Sequence, residues 1–256
     1  MTALEAALSR DRLWVLLGLG GAVALAWSWI APMGVDMYGR MDGPSAWMMT
    51  ARWDPAYAAL MLGMWSVMML GMMLPSAAAG ILLYARVARS DARSGSPVAR
   101  TYLFAVGYLL AWAAFSLMAT TLQWLLGSAA LLTPMMESDS HRFSAAVLIA
   151  AGIYQWTPLK DVCLRQCRGP AEFLSRHWRR GMSGALRMGF HHGLYCVGCC
   201  WVLMLLLFVG GVMNLIWIAA ITIFVLLEKL MPGGRTAGRL SGIAMLFAGV
   251  AVLLAG

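Results

Sequence analysis

The chain has 256 residues, 61% of them hydrophobic and 12% charged, with a formal net charge of +8. Soluble domains carry about 25% charged residues, so this composition excludes an ordinary soluble domain. Backbone groups in a bilayer must be satisfied internally, and long apolar runs without strict alternation select helices over a closed barrel.

The expected fold is an all-α membrane protein, one polytopic helix bundle of about seven transmembrane helices. The predicted spans are 13–31, 57–84, 101–126, 143–158, 194–211, 213–231 and 240–255. Span 13–31 follows Arg10 and Arg12. Those residues, with Ala24-Leu-Ala26, also fit a cleaved leader, which would leave one span fewer and the same orientation for the rest.

The 32–56 segment holds Met33, Met37, Met41, Met48 and Met49 beside Asp36, Asp42 and Asp54. It reads as a weak metal-collecting surface, or as methionines filling gaps at the helix ends. Span 57–84 is longer than a bilayer needs, and Pro75 is its expected bending point. On a helical wheel Met61, Met64, Met68 and Met72 fall within about 80° of arc and extend over ~16 Å of axis, about half the hydrocarbon core. Met69 and Met73 lie beside that stripe. A neutral thioether ladder suits Cu(I) and carries no deep charge well, although such stripes also arise from packing alone.

Gln123 in span 101–126 and Asn214 at the start of span 213–231 read as interhelical hydrogen-bonding groups. Span 143–158 is short and stops at Thr157-Pro158. Gln155 and Thr157 there could line a polar cavity or satisfy backbone freed by the proline. In the polar 159–193 segment, Cys163 and Cys167 are spaced to share one helix face. Residues 170–180 read as an amphipathic surface helix with Phe173, Leu174 and Trp178 dipping into lipid, or as a solvated loop helix.

Cys196, Cys199 and Cys200 open span 194–211. If that helix extends back to His192, the imidazole joins the three cysteines within about a 100° arc. Two or three thiolates suit Cu(I); three with His192 would suit tetrahedral Zn. Buried structural thiols and redox-active cysteines are the competing readings. Glu228 beside Lys229 is an ionisable residue near the end of span 213–231. It could support His192, accept a proton, or snorkel beside Lys229. Close helix approach is expected at the small faces Gly18, Gly20, Gly21 and Gly210, Gly211.

Loops 85–100 and 159–193, and the turn at 232–239, hold most of the Lys and Arg residues, including Arg86, Arg89, Arg93, Arg100, Lys160 and Arg235. The intervening loops have few, such as Arg40, Arg52 and Arg142. The basic loops are therefore expected in the cytoplasm, which places the N-terminus inside, in a multi-pass protein of the cell inner membrane. The positive charge follows from this bias and gives no reason to expect nucleic acid; the bilayer is the surrounding partner. No phosphate-binding GxxxxGK[ST] loop, Ser-His-Asp arrangement or Asp-Lys-Thr phosphorylation signal is present. The sequence leans away from an enzyme without settling the point.

Three stretches resemble a bacterial family of predicted metal-binding integral membrane proteins (domain of unknown function, number 2182). They are the stretch from Met64 through Met72-Met73-Leu-Pro75-Ser76, the stretch from Tyr154-Gln155 through Cys163 and Cys167 to Pro170, and Gly193-Leu-Tyr-Cys196-Val-Gly198-Cys199-Cys200-Trp201-Val-Leu-Met204. Met213-Asn214 and Glu228-Lys229 also fit; Gly71 stands in place of a more usual alanine. The resemblance covers roughly 57–231 and implies metal binding without naming the metal, with Met204 joining the candidate ligands.

The favoured expectation is a Cu(I) protein, for transport or for delivery to a metalloenzyme or metallochaperone partner. The alternatives are a membrane thiol redox enzyme and an assembly subunit with a structural Zn site.

Overall fold

A computed structural model describes residues 3–39, 45–48, 53–91 and 95–255. Arg40, Met41, Asp42, Met49, Arg52 and Arg93 lie outside the described residues. The described chain is helical: α1 (Ala3–Met37), α2 (Ser45–Met48), α3 (Pro55–Ser90), α4 (Pro97–Ser128), α5 (His141–Tyr154), α6 (Pro158–Arg168), α7 (Pro170–His177), α8 (Gly181–Leu205), α9 (Leu207–Gly210), α10 (Leu215–Leu230) and α11 (Gly234–Ala255). Among the described residues the only β pairing is an isolated bridge between Leu132 and Ser138.

Among the described residues, five segments are long and apolar enough to cross a membrane: Leu13–Met37, α3, α4, Gly181–Gly210 and α11. The expected fourth and sixth spans form shorter helices. α5 has 14 residues and α10 has 16, roughly 21 and 24 Å at 1.5 Å per residue. Local chemistry sets these ends. After α5, Thr157 caps the next helix by accepting from Lys160 N at 3.3 Å, and Pro158 takes its first position. Asn214 Oδ1 accepts from Ile216 N and Trp217 N at 3.1 and 3.2 Å. Asn214 is thus the N-cap of α10, and its side chain also reaches the Tyr38 hydroxyl just past the end of α1.

At Pro75, the expected bending point, a residue of another helix satisfies the carbonyl that the proline leaves without its helical donor. α3 runs through Pro75 as one helix of 36 residues. Proline cannot donate to the carbonyl four residues back, here that of Gly71. Trp27 Nε1 from α1 donates to that oxygen at 3.3 Å.

Of the glycines expected at close approaches, Gly18 meets Tyr102, Gly210 meets Trp217 and Gly211 meets Tyr38, all through side chains; the backbone-to-backbone approaches occur at other glycines. A Cβ on Gly107 of α4 would meet the Leu186 carbonyl, and one on Gly189 of α8 would meet the Phe104 carbonyl. α4 and α8 therefore touch backbone to backbone. Gly152 and Gly242 do the same for α5 and α11, whereas Gly20 and Gly21 have nothing within 4 Å. α8 begins at Gly181, so it contains His192 and the last part of what reads as a loop in sequence, while α6 and α7 take most of the rest. In α7, Phe173 and Leu174 are 1% and 4% exposed. They pack into the protein and are not free to dip into lipid.

Candidate metal centre

The core is a sulfur-rich seam. On α3, Met61, Met64, Met68, Met69, Met72 and Met73 are all buried, with Trp65 among them. Thioethers lose little on leaving water and adapt to irregular space, so this stripe packs well whatever else it does. Met204 on α8 is buried as well.

The two cysteine segments meet. Cys167 on α6 and Cys199 on α8 bring their Sγ atoms to 3.9 Å. A Cβ on Gly198 would contact Cys163 Sγ, so that thiol also faces α8. Tyr154 donates its hydroxyl to the Gly198 carbonyl and ties α5 to the same turn. Cys199 and Cys200 donate to the Cys196 carbonyl at 3.0 and 3.1 Å. Cys200 Sγ also lies 4.0 Å from Met73 Sδ, so the methionine seam of α3 abuts the thiols of α8 at that residue.

These separations suit a soft ion. A tetrahedral ion with metal–sulfur bonds of about 2.3 Å holds its ligands about 3.8 Å apart. The Cys167–Cys199 and Cys200–Met73 pairs are close to that span. They are pairs only: among the described residues no three His, Cys, Asp or Glu side chains converge as a ready metal-binding group. His192 sits one turn from Cys196, but its ring lies among Phe173, Phe104 and Tyr108 at 5.0, 5.9 and 6.0 Å. Its Nδ1 is buried without a hydrogen-bond partner.

Cys196 faces a cation. Lys229 Nζ on α10 donates to Cys196 Sγ at 2.9 Å and to Ser76 Oγ at 3.0 Å. The Tyr108 hydroxyl lies 3.0 Å from the same sulfur and donates to the Met73 carbonyl at 3.0 Å. A buried ammonium needs a counter-charge, and of its two acceptors only the sulfur can carry one.

Neighbouring Glu228 points about 100° away, as consecutive helical residues must. It pairs with Lys160 at 2.7 Å, both side chains being at most 2% exposed. Gln155 accepts from the same ammonium. Glu228 and Gln155 therefore support Lys160, and neither snorkelling beside Lys229 nor support of His192 describes Glu228. On α6, outside the long apolar spans, burial raises the Cys163 thiol. Hydrogen bonding with the Cys196 and Cys199 sulfurs holds Cys167 well above the usual thiol range.

At the other end of the seam Gln123 of α4, 3% exposed, makes the expected interhelical bond: its Oε1 accepts from Trp65 Nε1 at 2.7 Å. Its Nε2 donates to Met61 Sδ at 3.4 Å and to Met136 Sδ at 3.1 Å. Of the 32–56 methionines, Met33, Met37 and Met48 are buried, which is the packing reading of those three.

Sequence reasoning missed Met73 as the residue joining the seams, and Lys229, Tyr108 and Met136 as sulfur partners. Met73 left a signal, lying beside the stripe it completes, and so did Lys229 as the neighbour of Glu228; Tyr108 and Met136 left none. Residues 62–252 match PpoB2, a family described as copper chaperone. The chain belongs to this family. The metal-related character implied by the sequence resemblance stands, and the metal of this copper-chaperone family is copper. No curated protein and no solved structure matches the chain.

Proposed function

We propose that the protein is an inner-membrane copper-delivery protein that receives Cu(I) on thioethers and holds it on thiols for an acceptor metalloprotein. Met61, Met64, Met68 and Met72, continued by Met73 and Met204, form the soft path. Cys163, Cys167, Cys196, Cys199 and Cys200 form the holding site, beside His192. The single observation that carries this reading is the 4.0 Å approach of Met73 Sδ to Cys200 Sγ. A cation held at Met73 has a thiol within reach of a single ligand exchange. Membership of a copper-chaperone family supports copper over zinc and delivery over unassisted flux.

Depth along the helices supports an inner-face holding site. Met73 lies roughly 27 Å from the Pro55 end of α3, and Tyr108 roughly 30 Å from the Ser128 end of α4, at 1.5 Å per residue. That is close to the ~30 Å hydrocarbon thickness. The Lys and Arg distribution supports a cytoplasmic N-terminus and an outward-facing 129–140 connection.

The test is anaerobic purification in detergent, Cu(I) loading and transfer to an apo-acceptor separated by a membrane-impermeant tag. Stoichiometric copper that is lost in a Cys196→Ser/Cys199→Ser/Cys200→Ser variant is expected. Wild-type protein that takes up no Cu(I) sinks the reading. Thiol redox chemistry is favoured by one observation, the 3.9 Å Cys167–Cys199 separation. It calls for reversible loss of two free thiols on oxidation and no copper requirement.

A further inference from the structure

Met136 lies in the connection between α4 and α5, outside every helix and outside the sulfur pattern read from sequence. Its φ is +58°, in the left-handed region that non-glycine residues rarely adopt. The surrounding turn enforces it: Thr133 N donates to the Glu137 carbonyl at 2.8 Å, and Met136 N to the Thr133 carbonyl at 2.9 Å. Tyr38, one residue past the end of α1, donates to Glu137 Oε1 at 2.5 Å. The strain turns the Met136 side chain inward, where it is 4% exposed.

There Met136 and Met61 share one donor, the Gln123 amide nitrogen. A thioether is a weak hydrogen-bond acceptor but a good ligand for soft cations. The Trp65 indole fixes the other end of the amide, so the NH2 group stands between the two sulfurs as a cation would. A cavity of about 240 Å³ adjoins it, lined by Met48, Trp53, Tyr57, Gln123 and Met136 among others. Met48, also buried, therefore borders this space together with Met136, and Gln123 connects it to Met61.

We propose that Met61 and Met136, with Met48 at the rim, form a separate capture site for Cu(I), in which the Gln123 amide is the placeholder that the ion displaces. The site rests on the copper-delivery reading but uses none of the cysteines, so the two can fail separately.

The experiment is an anaerobic Cu(I) titration of the full chain in detergent against a coloured Cu(I) chelator. Wild-type protein is expected to show a tight thiol class and a weaker thioether class. Met61→Leu/Met136→Leu is expected to raise the Cu(I) concentration that fills the weaker class by roughly tenfold or more, which is about 1.4 kcal/mol, and to leave the tight class in place. Leucine conserves volume at both positions. If the double variant misfolds, Met136→Leu alone, outside every helix, carries the test. A single class in wild-type protein, or a weaker class unchanged in the variant, overturns the capture site. No Cu(I) at either class overturns both this site and the delivery reading, whereas loss of the tight class alone would count against delivery only.

Discussion

The two ends of the sulfur seam are built from opposite chemistry. The α3 half is neutral: thioethers, the Trp65 indole and one amide, with no formal charge to desolvate. The α8 half is crowded with charge, since Lys160, Glu228 and Lys229 are buried within a few residues of the thiols. The neutral half can be packed by size and shape alone, while the charged half must be satisfied pair by pair. That contrast makes the methionine end tolerant of change and the cysteine end intolerant.

The largest break should come at Lys160. Lys160→Met leaves Glu228 buried without its cation, and removing one partner of a buried pair costs about 3–5 kcal/mol. A large fall in thermal stability is expected, with most of it regained in Lys160→Met/Glu228→Leu. Equal stability of single and double variants would show that the pair does not govern this half. Next comes Gly189→Ala, whose Cβ runs into the Phe104 carbonyl. Overpacking of this kind costs about 1–3 kcal/mol, and a melting temperature within error of wild type would refute the close α4–α8 approach.

Cys167→Ser sharpens the comparison on the metal side. It is expected to weaken Cu(I) holding by roughly tenfold, about 1.4 kcal/mol, while a competition titration of Met68→Leu shows almost no loss. The smallest effect belongs to Met68→Leu itself. A volume-conserving swap costs less than about 1.5 kcal/mol, so stability should barely move. Slower filling of the thiols in stopped flow is the outcome that separates a path from mere packing.

Much of this contrast could be read from residue types. The stripe of Met61, Met64, Met68 and Met72 and the grouped cysteines of 163–167 and 196–200 were legible because both follow helical spacing. Whether those segments meet was not, because the α6–α8 contact at Gly198, like the α4–α8 approach, depends on which glycines face a neighbouring helix. Gly18, Gly20 and Gly21 look as suitable in sequence as Gly107 and Gly189. The roles of Glu228 and Lys229 were hidden for a related reason. Adjacent residues on a helix look in different directions, and each found a partner from a different helix. Met136 carries no periodicity at all; its position comes from a turn held by Thr133, Glu137 and Tyr38. The helices α5 and α10 are shorter than the spans read there because hydropathy ignores caps, and Pro158 and Asn214 set the ends.

The indole of Trp27 on the Gly71 carbonyl has a consequence for biosynthesis. In lipid a backbone oxygen without a donor costs several kcal/mol, and Pro75 guarantees that α3 cannot supply its own. The donor arrives 44 residues earlier in the chain. Insertion of α3 is therefore most favourable with α1 already alongside, so the two helices should leave the insertion machinery as a docked hairpin and not as independent spans.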